Sequence, residues 1–508
     1  MWILWANASV LAVAALAAAY AWIFGGTMAA PLTAVIPWLF AIMLEIMLVF
    51  PQRHMNETIY DARDRVWRRM KRDPLVWTAF ALMVLLLIPF FNKALCPVCD
   101  FPAIMDGKSQ EPAVPFLPYC VNRLHHFNVV IWFIPALTAM IAVKHSMVKR
   151  GKRFLLSLLV WNGAVLAVLG FVQQAAGAPG PLWSEESGVK EVGTFFSTFG
   201  YPNMAGDYFT SLFGISIALW RWQLEVVRRE NPSDHSGVDR SHRGKFWRKN
   251  FYLIPATLFF FAAFSTLSRA AIMLASVLTV VYFLHSFVSL LARVPKAVKV
   301  KAGAVSLVVI TLISLFAYMF ASDGVRSEVE TLDATTVLDR VTGRGQYHAR
   351  VATEIWKDNF FFGCGGWGYK HFCIPNMTEA ELKQIQTVGG INVHNDYLQF
   401  LAEHGTVGFG LMVAVVVMLL VPVGRVWRRL VRSSRFKKPK DLPPKPVAVF
   451  VFPAPAFCLL MTVVATFIHG FGDCPLRSPA VLTLFFVSLA AIDGFLPRID
   501  DEDDGKRI

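Results

Sequence analysis

The chain has 508 residues, 55% of them apolar and 17% charged, with a mean hydropathy of +0.49. That balance lies outside the range of soluble domains and indicates an integral membrane protein. A net charge of +14 would suit a nucleic-acid binder only if it were concentrated; here it is spread over short segments between apolar stretches, which argues against that class.

A membrane-spanning helix needs about 20 apolar residues. Twelve stretches qualify: 4–24, 31–50, 74–91, 127–143, 154–174, 203–220, 251–267, 271–292, 302–320, 396–423, 447–469 and 479–496. The first basic residue is Arg53, so the basic start of a cleavable signal is missing and the first span is expected to be retained. With the N-terminus inside, segments 51–73, 144–153, 221–250, 293–301 and 424–446 all face inward. They hold 33 of the 49 Lys and Arg residues, as the positive-inside rule requires. Glu45 stands alone near the inner end of the second span and is expected to meet a structural partner.

Six cysteines, Cys96, Cys99, Cys120, Cys364, Cys373 and Cys474, fall in or beside the outside loops. An oxidising compartment would let them staple those loops by disulfides. Cys96-Pro-Val-Cys99 has no following histidine for haem attachment and no second Cys-x-x-Cys to complete a zinc site. His125-His126 lacks a third ligand at metal spacing and reads as an interfacial pair. No internal repeat is evident, and the acidic tail Asp500–Asp504 reads as a solvated run.

The polar signals gather on the outside. Asn203 and Asp207 open the sixth span. Arg269, in Ser268-Arg269-Ala270, sits between two spans joined by almost no loop. Taken alone it could simply reach for lipid headgroups. The longest outside loop, 321–395, is a functional candidate by size. Within it Arg344 opens a stretch, 344–358, with apolar residues at helical spacing, and Thr378 to Glu381 reads as a capping box. Gly363-Cys364-Gly365-Gly366 follows a helix instead of a strand, so it is expected to be a close-approach turn and not a phosphate loop.

His394 then heads the tenth span. Asn395, Gln399 and Glu403 follow on one face, polar groups carried into a segment that otherwise avoids them. Asp473 and Arg477 lie outside and are expected to line the same cavity. Two guanidinium groups and one imidazole form a set suited to glycosyl transfer from a lipid diphosphate. Arginine forks match phosphate oxygens, and a neutral imidazole takes a proton from an attacking hydroxyl.

Several of these strings resemble the O-antigen ligase and polymerase superfamily. They are His394-Asn395-Asp396-Tyr397-Leu398 through Glu403-His404-Gly405-Thr406-Val407-Gly408, Pro202-Asn203-Met204-Ala205, Ser268-Arg269-Ala270, and Gly343-Arg344 through Trp356 to Gly365. The chain departs from the pattern at Phe361 or Phe362, where proline is usual, and at Ala270, where glycine is common. The resemblance implies an all-α, GT-C-like polytopic protein of about 12 transmembrane helices with one long periplasmic loop containing short helices. Its expected divisions are spans one to nine in 1–320, the loop in 321–395, three spans in 396–496 and a cytoplasmic tail in 497–508.

The same resemblance implies an O-antigen ligase of the bacterial inner membrane. It would move a polysaccharide from undecaprenyl diphosphate to a lipid A-core acceptor on the periplasmic face, with inversion and without a metal or other cofactor. His394, Arg344 and Arg269 are the expected catalytic residues. Arg269 and Arg344, with Asn395, Glu403 and Asn203, are expected to bind substrate. A polymerase of the same superfamily, a protein O-oligosaccharyltransferase and a lipid-linked glycan transporter are the alternatives.

Overall fold

The computed structural model describes residues 7–23, 35–54, 56–95, 111–184, 195–230, 247–291, 347–378, 381, 392–436 and 452–497. Among them the fold is helical and forms no β-strand, only two isolated bridges. In chain order the helices are α1 (Ala8–Ile23), α2 (Val35–Val49), α3 (Ile59–Arg72), α4 (Pro74–Phe91), α5 (Arg123–Ile141), α6 (Lys149–Ala175), α7 (Pro202–Glu230), α8 (Leu253–Ser265) and α9 (Arg269–Leu291). Then come α10 (347–358), α11 (Tyr369–Phe372), α12 (Asp396–Phe436), α13 (Ala454–Gly472) and α14 (Pro479–Ala491). Each expected span coincides with one of these helices except 302–320, which lies outside the described residues. Among the described residues, six helical segments are long and apolar enough to cross a membrane: Pro74–Phe91, Arg123–Ser146, Lys149–Ala175, Arg269–Val288, Asp396–Val431 and Ala454–Gly472. This is a polytopic membrane architecture.

The hydrogen bonds between connections give the bundle two ends. At one end Gln52 bonds Asn7 and the amide of Val148, and Lys152 pairs with Asp493. At the other, Cys120 N–H donates to Asn92 O, Gln174 to Ser265 O, and Asn395 to Phe471 O. Successive long helices run from one end to the other, so the turns after α4, α6, α8 and α13 meet at a single face. A large apolar core fills the bundle, built largely of aliphatic and aromatic side chains from α1, α4 to α9, α13 and α14. A second, smaller core caps that same end: Val351, Ala352, Ile355, Cys364, Tyr369 and Cys373 close over Val393 and Ala402. It gives the segment around α10 and α11 a folded base on the membrane bundle.

The expected tenth span is not one straight helix. Gly405 breaks α12 with φ 65° and ψ −175°, a conformation open to glycine and forbidden to most residues. The backbone groups freed at the break are met by the crossing strand of chain at 360–365. Cys364 and Gly365 N–H donate to Ala402 O and Glu403 O at 3.1 and 2.8 Å, and Thr406 and Val407 N–H donate to Phe360 O and Phe361 O at 2.9 and 3.1 Å. A membrane helix tolerates such a break only where protein re-satisfies its backbone. A Cβ on Gly405 would stand 2.3 Å from Phe361 backbone. The glycine turn at 363–366 is thus the close-approach turn expected from its residues, and its partner is the α12 kink.

The disulfide expectation does not hold for the described cysteines. Cys120, Cys364, Cys373 and Cys474 are buried free thiols. Their surroundings explain it: Cys120 donates to Pro89 O at 3.0 Å, Cys474 to Asp473 Oδ1 at 3.3 Å, and Cys364 and Cys373 pack in the small outer core. Cys96 and Cys99 lie outside the described residues. Glu45, expected to meet a structural partner, is exposed on α2 and forms no ion pair among the described residues. The acidic tail is likewise outside them.

Candidate active site

The site is assembled at the capped end of the bundle, from the first turns of α7, α9 and α12 and the last turn of α13. Asn395 sets the start of α12 as its cap: its side-chain oxygen accepts from Tyr397 and Leu398 N–H at 3.1 and 3.0 Å. That leaves His394 just before the helix at φ 53°, a left-handed conformation that histidine enters more readily than most residues. The His394 side chain is 36% exposed, and its Nδ1 donates to Asp473 Oδ1 at 3.1 Å.

Asp473 is the hub. Beyond His394 it accepts from Tyr201 Oη at 2.9 Å, from Cys474 N–H at 2.8 Å, and from the Asn203 amide in a very close contact. Asn203 in turn accepts from Ser268 Oγ at 2.6 Å. Ser268 also receives Ala271 N–H at 3.3 Å, which caps α9, and its neighbour Arg269 begins that helix. A continuous chain therefore links His394 to the residue beside Arg269 by way of Asp473, Asn203 and Ser268. Close backbone approach makes this possible. A Cβ on Gly206 would come within 2.4 Å of the Ala271 Cβ, so α7 can press against the first turn of α9. Leu267, at φ 59°, turns the chain from α8 into α9 in three residues.

The electrostatics follow from burial and partners. Burial alone would raise the Asp473 carboxyl, but the hydrogen bond and charge of His394, with His469 and the Cys474 amide, outweigh it and hold the group at about 2. Asp473 is therefore a carboxylate at any working pH. It orients the ring so that Nδ1 carries the proton and Nε2 presents its lone pair. His348, on α10, lies with its ring centroid 6.1 Å from that of His394. Burial first, then the neighbouring His394 charge, lower His348 to about 4, so the ring beside His394 is neutral near pH 7.

Residues 254–413 match the family model described as O-antigen ligase. Over that stretch the chain is similar to the O-antigen ligase and polymerase superfamily. No curated protein matches it. The O-antigen ligase stretch contains Arg269, Arg344, His394, Asn395 and Glu403; Asn203 and Asp473 lie on either side of it. Its family supports an enzyme acting on glycans, with lipid-linked glycan and a lipid acceptor as the general substrate classes.

The structure distributes the expected ligase residues unevenly. It brings His394, Asn203 and the turn carrying Arg269 together. Arg344 lies outside the described residues; His348, four positions later, sits beside His394. The three side chains expected to touch substrate besides the arginines are engaged within the protein. Asn395 caps α12, Asn203 bridges Asp473 and Ser268, and Glu403 is buried in a salt bridge to Arg477 at 2.6 Å while accepting from Gln399 at 3.1 Å. Arg477 also lies over the Trp367 ring at 4.7 Å. Glu403 thus fastens the loop after α13 to α12. These bonds fix the positions of all three side chains around His394 and Asp473.

Asp473 is the residue that sequence reasoning underweighted, since 79 positions separate it from its histidine. Beneath it runs a polar ladder between α7 and α13. Asp207 accepts from His469 Nδ1 at 2.9 Å and from Thr466 Oγ1 at 3.0 Å, and Thr466 meets Ser211 at 2.9 Å. The spacing 203, 207, 211 on one helix was the available signal. His125 and His126 also have partners that the sequence hid. His125 Nδ1 is 3.0 Å from His371 Nε2, while His126 donates to Leu86 O at 2.8 Å and accepts from Gly366 N–H at 3.0 Å. They pin the outer cap to the bundle.

His394 Nδ1, an Asp473 oxygen and Cys474 Sγ lie within 4.8 Å of one another, three donors that could in principle hold a metal ion. Their chemistry suits hydrogen bonding better. Both Asp473 oxygens already accept N–H or O–H groups, and burial raises the Cys474 thiol well above its ordinary value, against the thiolate a metal would need.

Proposed function

We propose that this protein is an O-antigen ligase, transferring a glycan from undecaprenyl diphosphate to a lipid A-core hydroxyl on the periplasmic face of the inner membrane. His394 is the general base. Its Nε2 takes the proton from the acceptor hydroxyl as that oxygen attacks the anomeric carbon of the donor sugar. The bond between that carbon and the diphosphate oxygen breaks, and the diphosphate departs with the electron pair from the opposite side, so configuration inverts. Arg269 and Arg344, whose guanidinium groups stay charged throughout, meet the charge on the diphosphate by donating bidentate hydrogen bonds to its oxygens. Asp473 steadies the imidazolium that forms, as a carboxylate does in other acid–base pairs.

One observation carries this reading: the imidazole at the head of α12 is held through Nδ1 by a carboxylate that is itself tied, through Asn203 and Ser268, to the turn bearing Arg269. Base and phosphate-binding group are thereby fixed in one frame. An apolar cavity beside them, lined by Trp132, Phe133, Tyr397, Phe400, Phe467 and Phe485, suits the hydrocarbon part of a lipid substrate. The gathering of these groups at one end of the bundle, and the basic residues at the other, fit an outward-facing enzyme better than a transporter with midplane charges.

The acceptor is the point to test. Purified protein in lipid vesicles, given a labelled lipid-diphosphate glycan, should make covalent product with a lipid A-core acceptor and none with the donor alone. Chains lengthened on the donor lipid would make it a polymerase, and transfer to a protein hydroxyl would make it an oligosaccharyltransferase.

A further inference from the structure

At the end of the bundle opposite His394, α3 presents a surface that the reaction does not use. The helix is opened by a capping box between Thr58 and Asp61 and is too short, at 14 residues, to cross a bilayer. Ala62, Val66 and Met70, at four-residue spacing, face the protein and are buried. The outer side carries Tyr60 and Trp67, seven positions apart and 74% and 51% exposed, alongside the exposed cations Arg68, Arg69, Lys71 and Arg72.

Neighbouring contacts fix the level of this helix relative to lipid. Asp73 caps α4 directly after α3, and the Trp77 indole N–H donates back to Lys71 O at 2.9 Å. From Trp77 onward α4 exposes an apolar stripe, Phe80, Val84, Leu87 and Phe91, that only hydrocarbon can cover favourably. Lys71 and Arg72 therefore stand at the depth where acyl chains give way to headgroups. The cations of α3 also divide into two groups. Arg63 and Arg65 are turned inward, to Val49 O at 2.6 Å and to Glu57 at 2.7 Å, and Arg68 pairs with Asp64. Arg69 and Arg72 form no ion pair among the described residues, and the Lys71 ammonium lies 4.8 Å from the Trp67 ring centre.

We propose that α3 lies in the membrane interface and binds the phosphate of an anionic phospholipid through Arg69, Lys71 and Arg72, with Trp67 and Trp77 against its acyl chains. The charge is complementary, and exposed aromatics beside cations at headgroup depth are the pattern of interfacial helices. A water-facing helix would have no reason to expose Tyr60 and Trp67 together. The site is independent of the glycosyl-transfer reading, because it shares no residue with it and lies at the other end of every helix that connects them.

The test uses the full chain in micelles holding equal amounts of phosphatidylglycerol and phosphatidylcholine, with bound lipid counted by native mass spectrometry. The wild-type protein should retain phosphatidylglycerol at least about tenfold over phosphatidylcholine, since each interfacial cation adds attraction to anionic lipid. A variant with Arg69→Gln, Lys71→Gln and Arg72→Gln should bring the ratio near parity, and added salt should weaken the preference only in the wild type. In vesicles, the fluorescence lost in Trp67→Phe should be the part quenched by brominated acyl chains and spared by aqueous iodide. Parity in the wild-type protein, or a Trp67 quenched by iodide and not by brominated lipid, would overturn the proposal even if the triple variant failed to fold.

Discussion

Two Asp–His pairs stand one above the other near the last turn of α13, one reaching to the start of α12 and one to α7, and they differ in exposure. In the outer pair Asp473 holds His394, whose side chain is 36% exposed. In the inner pair Asp207 holds His469, with both side chains at 1%. Four residues along α13 separate His469 from Asp473, about 6 Å of helix. The chemistry of each pair is the same, a carboxylate on the Nδ1 side of an imidazole. The inner imidazole keeps its second nitrogen buried without a hydrogen-bond partner, whereas the outer one presents it where an acceptor can arrive. On the proposed function, exposure of Nε2, not possession of an Asp–His pair, is what separates the base from a strut.

That contrast makes unequal demands on the two carboxylates. Asp473→Asn should lower transfer by about 10²–10⁴-fold, because an amide no longer selects the tautomer with a free Nε2; initial rates on vesicles report it. Melting temperature should change far less. Asp207→Asn should do the reverse. Breaking a buried pair costs about 3–5 kcal/mol, so the protein should melt well below the wild type while each folded molecule keeps turnover within about tenfold. If both variants lost activity alike at equal stability, the division between base and strut would be wrong.

The helix break offers a sharper structural test. Gly405→Ala forces a Cβ onto Phe361 backbone at a φ that alanine resists, and should destabilise by more than about 1 kcal/mol. Gly410→Ala, where a Cβ meets nothing within 4 Å, should be tolerated in the same melting assay.

Acid should reveal the Asp473 interaction. Its carboxyl titrates at about 2 in the folded protein and near 3.9 when unfolded. A depressed carboxylate contributes stability that is complete above about pH 4 and fades as pH falls towards 2. Melting between pH 5 and pH 2 should therefore fall more steeply for the wild type than for Asp473→Asn. The smallest effect belongs to Cys474→Ser. A buried thiol that only donates to Asp473 is replaced by another donor, so transfer should stay within a few-fold.

Much of this was legible in the sequence because it is local. Apolar runs located the helices, His394 at the mouth of α12 announced itself by its polar followers, and Thr378 with Glu381 formed the capping box their spacing implied. Whatever depended on the meeting of distant segments was hidden. Asp473 lies 79 positions from His394, and nothing local distinguishes it from a helix-end aspartate. Glu403 stood out as a polar group on the α12 face, but helix α12 breaks two residues later and its carboxylate meets Arg477, 74 positions away. The cysteines misled for a related reason. Composition suggested an outer compartment full of staples, while packing shows thiols used as small buried donors. Arg344 lies outside the described residues, and Arg344→Lys, which keeps charge and loses the fork, is its natural probe.

The most direct measurement is the rate of glycan transfer from a lipid-diphosphate donor to lipid A-core acceptor by purified wild type and His394→Ala in the same vesicles. The account predicts product from the wild type and a rate lower by at least about 100-fold in the variant, at matched melting temperature. Equal rates would contradict it, because among the described residues no other imidazole at that face stands held by a carboxylate with its far nitrogen open.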